Sequence, residues 1–380
     1  MRETVERASA PARIAIDARI LSKSTGTYAR MLLKHLQEID SYNEYTVLLR
    51  AEDLGRWKPH APNFSVEKAE YADFSFAEQW AFWRHLRRRR FDLVHFCMQQ
   101  QPILYRGAKV TTFHDLTLLR TVDTSKNPVV FRAKRLVARA AFWIALRTAT
   151  QVITPSRFSA EDARRYAKLP AGRLTVTPLA AEIETTEPEA RELPFREYAL
   201  YVGNFFDYKN IDRLIQAHQL LRGRGSDLGL VLVGRLDAAG MRLKERSERR
   251  GDEAVEFTGF ISDAERDWLY ENAAVYVFPS LSEGFGLPGL EAMNYGVPVA
   301  AADATCLPEV YQDAAHYFDP TSVPAMAEAI AEVVGSEELS ARLRENAAAL
   351  LQTYSWRTTA ELTHSVYESA LRSAAGRGPA

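Results

Sequence analysis

The stretch SLSEGFGLPGLEAMNYGVPV, Ser280 to Val299, sets Glu283 and Glu291 on either side of a glycine-containing loop, separated by seven residues, 284 to 290. A carboxylate accepts two hydroxyl hydrogen bonds at once, which is how acidic side chains hold ribose diols in nucleotide sites. Gly284 and Gly286 let the intervening backbone approach a ligand. Pro288 suits the first turn of a helix, whose unpaired N–H groups bind hydroxyls or anions. One glutamate therefore suits a ribose and the other a second polyol. Taken singly, Glu291 would only complement a helix dipole, worth ~0.3–1 kcal/mol, and Glu283 would be a solvated loop charge. The pair around one loop favours ligand binding.

Cations stand at two earlier strand ends. In YVGNFFDYKNIDRLI, Gly203 opens a turn and Lys209 precedes a helix whose N-terminus itself attracts anions. LGLVLVGRLD ends in Gly234 and Arg235, where a guanidinium can grip phosphate bidentately. One strand-end cation is commonly a surface charge; two after consecutive strands of one domain are better evidence of a phosphate site. Further upstream KVTTF ends at His114 and Asp115. The histidine is placed to meet a developing negative charge or a substrate hydroxyl, with the aspartate addressing another polar group; the alternative is a ring satisfied by the backbone. Gly26 in STGTYAR leaves room for a phosphate beside the first strand. No G-x-G-x-x-G is present, so no redox dinucleotide is expected. A glycosidase using Glu283 and Glu291 as acid and base is a competing reading, but it leaves Lys209 and a phosphate pocket without a use.

Positioning these residues takes an alternation of strands and helices. RIAIDARI reads as a buried strand ending near Asp17, followed by the amphipathic helix YARMLLKHLQEI. Strands follow at EYTVLL, FSVEKA, FDLVHF, KVTTFHD and TQVITPS, with helices around 76–90, 128–147 and 157–167. The acidic AAEIETTEPEARELPF breaks the rhythm as a linker, and the alternation restarts with YALYVG, LGLVLVG, AVEFTGF, VYVFPS and VPVAA, then several terminal helices. The expected fold is α/β, two doubly wound domains with ligands at the carboxyl ends of their strands, facing a central cleft. We place a flexible tail at 1–12, a first domain at 13–190, a second at 191–355, and a final helix from 356 that either closes the second domain or crosses back to the first.

The 380 residues, 47% hydrophobic and 26% charged, fit a two-domain globular protein. No apolar run approaches the roughly 20 residues that span a bilayer, and the first dozen lack a secretory core. Cys97 and Cys306 are the only cysteines, too few for a disulfide framework and without metal-ligand spacing, so the expected setting is cytoplasmic and no metal site is expected. The net charge of −1 argues against nucleic acid. FSFAEQWAFWRHLRRRRF, Phe74 to Phe91, combines aromatics with an arginine run. It suits either the anionic inner face of a membrane, where lipid-linked acceptors reside, or a sheet-packed helix with solvated arginines.

At this point the chain resembles the family-four retaining glycosyltransferases, of GT-B architecture with two Rossmann-like domains. The resemblance is carried by YVGNFFDYKN, LVLVGR, FTGFISDAERDWLYENAAVYVFPSLSEGFGLPGLEAMNYGVPVAAADATCLPEV and YFDP, and in the first domain by IDAR, TFHDL and VITPSRFSAED. It implies a sugar moved from a nucleotide-diphosphate sugar, as co-substrate and without other cofactor or metal, to a hydroxyl acceptor in polysaccharide or glycolipid assembly. Glu291 would hold the donor ribose and Glu283 lie by the donor sugar. The amides of Phe285, Gly286 and Leu287 would meet sugar hydroxyls or phosphate, and Lys209 would neutralise the diphosphate. The backbone at Phe260 and Ile261 would address the base, and His114 would lie by the reacting carbon. Asn204 stands where many relatives carry arginine, leaving one diphosphate contact for Arg235 to supply. That departure is the support for a third reading, a nucleotide-sugar-binding protein without catalysis.

Overall fold

Short, nearly continuous apolar runs form two parallel sheets, as strands covered on both faces must. The computed structural model describes residues 10–22, 25–120, 128–182, 187–252 and 254–376. Most of the expected tail and part of the acidic connector, 183–186, lie outside the described residues. The first sheet contains β1 (Arg13–Asp17), β2 (Glu44–Leu49), β3 (Phe64–Lys68), β4 (Leu93–Phe96), β5 (Lys109–Thr112), β6 (Gln151–Thr154) and β7 (Leu174–Val176), in the order β3-β2-β1-β4-β5-β6-β7. The second contains β8 (Tyr198–Val202), β9 (Gly229–Val233), β10 (Val255–Gly259), β11 (Val275–Phe278), β12 (Val299–Ala302) and β13 (Ala315–Phe318), in the order β10-β9-β8-β11-β12-β13.

Helices α1 (Gly26–Ile39), α2 (Trp83–Arg89), α3 (Thr117–Arg120), α4 (Pro128–Thr148) and α5 (Arg157–Ala167) connect the first set of strands. The second set is connected and followed by α6 (Ile211–Gly223), α7 (Ala238–Arg250), α8 (Asp263–Glu271), α9 (Leu287–Asn294), α10 (Leu307–Tyr311), α11 (Val323–Gly335), α12 (Glu337–Leu351) and α13 (Trp356–Ala375). Each sheet is doubly wound, with its direction of travel reversing between β1 and β4 in one and between β8 and β11 in the other. At such switch points the loops beyond the carboxyl ends diverge and open a crevice. Val275 pairs with Ala199 across the second switch point, so the loops after β8 and β11 emerge side by side.

Two strands escape the sequence pattern. β7 is only three residues long and half-buried throughout, and β13 buries only its end residues. Both are edge strands, too short or too mixed in polarity for a covered-strand signal. The arginine-rich stretch also differs from one regular helix: Glu78–Phe82 is π-helical and α2 follows it.

The final helix, α13, lies against α1 and strands β4 to β6 of the first sheet. Val366, Tyr367 and Ala370 are buried there, each large apolar side chain contributing about 1.5–3 kcal/mol. Polar contacts fix its register: Tyr367 and His95 Nδ1 lie 2.6 Å apart, and His364 Nε2 is 3.0 Å from Asp40 Oδ2. No helix among the described residues is long and apolar enough to cross a membrane.

Candidate active site

The second switch point brings a cation and a carboxylate together. Lys209 ends a 3₁₀ turn after β8, and Glu283 lies in the loop after β11, with Lys209 Nζ 2.6 Å from Glu283 Oε1. The loops are bolted to each other: the Leu281 amide donates to the Tyr208 carbonyl at 2.8 Å, and Asn210 Nδ2 donates to the carbonyls of Pro279 and Pro320. The ammonium is buried between the Tyr208 and Phe278 rings, 5.3 and 5.2 Å from their centroids. Burial works against its charge, yet Glu283, Tyr208 and Asp115 raise its pKa above the ordinary lysine value. This is a persistent positive charge at the mouth of the crevice.

Beyond Glu283 the chain enters α9 with Pro288 in its first turn. Glu291 follows on the second turn, half-buried, where burial raises its carboxyl pKa while Arg266 and the Tyr270 hydroxyl hold it down. Arg266 projects from α8 and pairs with Asp263 and Asp267 at 2.6 and 2.9 Å. Phe260 and Ile261 lie between β10 and α8, Phe260 almost fully exposed. Arg266 thus links α8 to Glu291 of α9, while Lys209 and Glu283 occupy the switch point.

The two glycines of the loop have reasons other than ligand approach. A Cβ on Gly284 would come within 2.3 Å of the His114 carbonyl oxygen, in the other domain. Gly286 has φ +96°, and a Cβ there would meet the Tyr311 hydroxyl at 2.5 Å. The first glycine permits contact between domains; the second lets Tyr311 pack beneath the loop and donate to the Gly286 carbonyl. Phe285 turns inward, edge-on to Tyr354, and Leu287 is half-buried at the start of α9.

His114 and Asp115 follow β5 and face this loop. His114 Nε2 lies 3.0 Å from the Cys97 carbonyl, an acceptor only, so Nε2 carries the hydrogen and the neutral ring leaves Nδ1 as an acceptor. Burial lowers its pKa, against the Cys97 contact and Asp115, and Tyr28 of α1 meets the ring edge-on at 5.1 Å. The backbone contact and the placement against the Glu283–Leu287 loop are both present in one residue. Asp115 Oδ1 accepts the Thr117 amide at 2.7 Å, shaping the turn into α3.

Of the other sequence candidates, Asn204 adjoins this cluster through a side-chain hydrogen bond to Tyr208. Gly26 opens α1 with the Leu21 carbonyl 1.9 Å from where its Cβ would be, so close packing already accounts for the glycine. Asn204 organises its own turn, its carbonyl accepting the Tyr201 hydroxyl at 2.7 Å and its side chain the Phe206 amide at 3.3 Å. Arg235 is exposed and makes no ion pair among the described residues. Sequence reading passed over Ser156, Ser159 and Glu309, which connect the domains; only the cap pattern S-x-x-S of SRFS marked the first two. Cys97 and Cys306 are buried with thiol pKa values pushed up by burial, and Cys306 donates to the Glu283 carbonyl at 3.3 Å.

Two doubly wound domains, with a cationic switch point, a carboxylate pair and a histidine facing across the cleft, define the GT-B class of glycosyltransferase. The family described as glycosyl transferases group 1 matches residues 184–350, and glycosyltransferase family 4 matches residues 25–185. O-antigen chain mannosyltransferase B of Escherichia coli is 32% identical over 273 residues, covering 68% of this chain and 70% of that protein. The MMP alpha-(1->4)-mannosyltransferase of Mycolicibacterium hassiacum is 29% identical over 300 residues, covering 75% and 72%. In three dimensions, sucrose-phosphate synthase of Thermosynechococcus elongatus superposes with a TM-score of 0.75 at 19% identity, covering 95% of this chain and 100% of that one. The chain belongs to the family-four, group 1 glycosyltransferases.

Proposed function

We propose that the protein transfers a sugar, with retention of its anomeric configuration, from a nucleotide-diphosphate donor to a hydroxyl of a growing polysaccharide or glycolipid. The observation that carries this reading is the Lys209–Glu283 pair, its ammonium buried, beside the backbone amides that lead into α9. Lys209 and those amides stabilise the charge that develops on the diphosphate as its bond to the sugar breaks, so no metal is required. Glu291 takes the ribose diol, Glu283 the transferred sugar, and Phe260 with Ile261 the base. His114 Nδ1 faces the sugar as an acceptor. The acceptor oxygen bonds to the anomeric carbon as the carbon–oxygen bond to the diphosphate breaks, and the acceptor proton leaves with the diphosphate oxygen on the same face. Mannose is the sugar to try first, because the two sequence relatives are mannosyltransferases.

The acceptor is lipid-linked and reached from an anionic membrane surface. Phe74, Phe76 and Trp80 are exposed beside the arginines of α2, and the neighbouring α4 exposes Leu136, Val137 and Trp143. Phe74 and Phe142 join the two segments at 6.3 Å between rings. Between the Trp80–Arg89 stretch and β3, a 420 Å³ pocket lined by Trp80, Arg84, His85, Arg88, Arg89 and the Glu67 carboxylate, which pairs with Arg89 and His85, leaves Arg84 and Arg88 with an aromatic wall for a phosphate headgroup.

Calorimetry against nucleoside diphosphates, then product analysis with the matching mannose and glucose donors in the presence of chelator, tests the transfer. Binding of one diphosphate and a product of unchanged anomeric configuration are expected; failure to bind any nucleoside diphosphate overturns the assignment.

A further inference from the structure

The loop that carries the donor-facing amides is held from the opposite domain by the first turn of α5. Ser156, the N-cap of that helix, donates its hydroxyl to the Gly284 carbonyl at 2.7 Å. Ser159, three residues on, donates to the His114 carbonyl at 2.7 Å and shares its hydrogen with Gly284 at 3.2 Å. Both serines are buried. From the second domain, Glu309 of α10 reaches back, accepting the Arg157 amide at 2.7 Å and the Phe158 amide at 2.8 Å. Two otherwise unpaired helix-start donors therefore find their acceptor across the cleft. Thr117 and Ser282 add a hydroxyl pair at 3.0 Å.

A structural role within one domain does not account for this set. Within its own domain α5 is capped only by Ser156, whose Oγ accepts the Ser159 amide at 3.1 Å, and this leaves the hydrogens of both serine hydroxyls and the Arg157 and Phe158 amides to find acceptors elsewhere. What the two hydroxyls and the Glu309 carboxylate add is a fixed relation between His114 and Gly284, which are held close enough to exclude a Cβ. Resting on the transferase reading above, we infer that Ser156, Ser159 and Glu309 are positioning residues that latch the donor loop against His114. The nucleoside diphosphate is assigned to groups of the second domain, whereas transfer needs the first domain, with His114, seated on the loop. Loss of the latch should therefore separate affinity from turnover.

Cys97 and Cys306 are buried, so spin labels can be directed to cysteines introduced at exposed Glu52 and Glu248, one on each domain. Interdomain distances are then measured by double electron–electron resonance in the parent, Ser159→Ala, Glu309→Ala and, as an independent wedge, Gly284→Ala. Ser159→Ala keeps the Ser156 cap, and variants are compared only where circular dichroism matches the parent. The expected result is a broader, longer distance distribution, a turnover number reduced about tenfold or more, and nucleoside diphosphate affinity within about twofold of the parent. Unchanged distances, unchanged turnover, or an affinity that falls in proportion to turnover each overturn the latch. A parent that binds no nucleoside diphosphate defeats the transferase reading instead, while the distance measurement still decides whether these residues hold the domains together.

Discussion

Lys209 Nζ lies 2.6 Å from Glu283 Oε1, although the two residues are 74 positions apart and follow different strands. The contact joins the loops at the switch point of the second sheet and leaves one buried cation where a diphosphate would arrive. Lys209→Ala should lower kcat/KM by about 10²–10³, through weaker donor binding and slower departure of the diphosphate together. Glu283→Gln keeps the cation and, with the donor sugar as its proposed partner, should reduce kcat more than nucleoside diphosphate affinity. Steady-state kinetics alongside calorimetry with the bare diphosphate separates the two. Equal behaviour of both variants would remove the division of roles.

Glu291 should respond to pH. Burial raises its carboxyl pKa, and only the ionised group offers acceptors to both hydroxyls of a ribose. Affinity is then fully present above the raised pKa and is lost as pH falls through it. Removal of a charge-assisted contact is worth about 1.5–3 kcal/mol, so Glu291→Ala should weaken binding roughly 10- to 100-fold. A 2′-deoxynucleoside diphosphate should show less of the pH effect; an identical profile for ribose and deoxyribose ligands would move the ribose contact elsewhere.

His114 has its pKa lowered by burial and donates Nε2–H to Cys97, so it is neutral at pH 7. Turnover should stay level as pH falls to the ordinary histidine value and decline only below it, when protonation occupies Nδ1. His114→Ala should reduce kcat by about 10²-fold or more while leaving nucleoside diphosphate affinity unchanged. A loss of affinity matching the loss of rate would return His114 to a packing role.

The His364–Asp40 contact predicts how α13 docking depends on pH. Asp40 raises the His364 pKa, so that contribution is whole below the unfolded histidine value of about 6.5 and is lost as pH rises through the folded one. Hydrogen bonds from His364, Tyr45 and Asn43 outweigh burial and hold the Asp40 pKa well below the carboxylate range. Its contribution is whole above an unfolded value of about 3.9 and fades only in stronger acid. Docking is firmest between these limits. His364→Ala should cost about 1 kcal/mol near pH 5.5, after allowance for solvent screening, and less at pH 8. Thermal unfolding at the two pH values checks the difference; equal losses would leave the ion pair without influence.

Replacing Arg87 to Arg90 with glutamine should reduce flotation with anionic vesicles at least tenfold, since each arginine near a charged surface contributes about 1 kcal/mol. Neutral vesicles should show no difference. No response to the replacements would leave α2 as a solvated helix.

Much of the site was legible in particular residues. The spacing of Glu283 and Glu291 around Pro288 placed one in a loop and one on a helix, because proline at a helix start is a local rule. Lys209 and His114 were found by their places after apolar strand runs. The spacing of Gly284 and Gly286 suggests room for a ligand but does not disclose that the His114 carbonyl and the Tyr311 hydroxyl fill the spaces their side chains would need. β7 and β13 were passed over because short edge strands carry little alternation.

Local chemistry thus determined the doubly wound class, the strand-end loops and the residue types that face a phosphate or a diol, since each depends on neighbours along the chain. Tertiary structure decided the partners. Lys209 with Glu283, Glu309 with the α5 amides, His364 with Asp40 and Gly284 against His114 are contacts between distant segments. They exist because the sheets' switch points and the returning α13 bring those segments together, and no periodicity of the chain encodes that proximity.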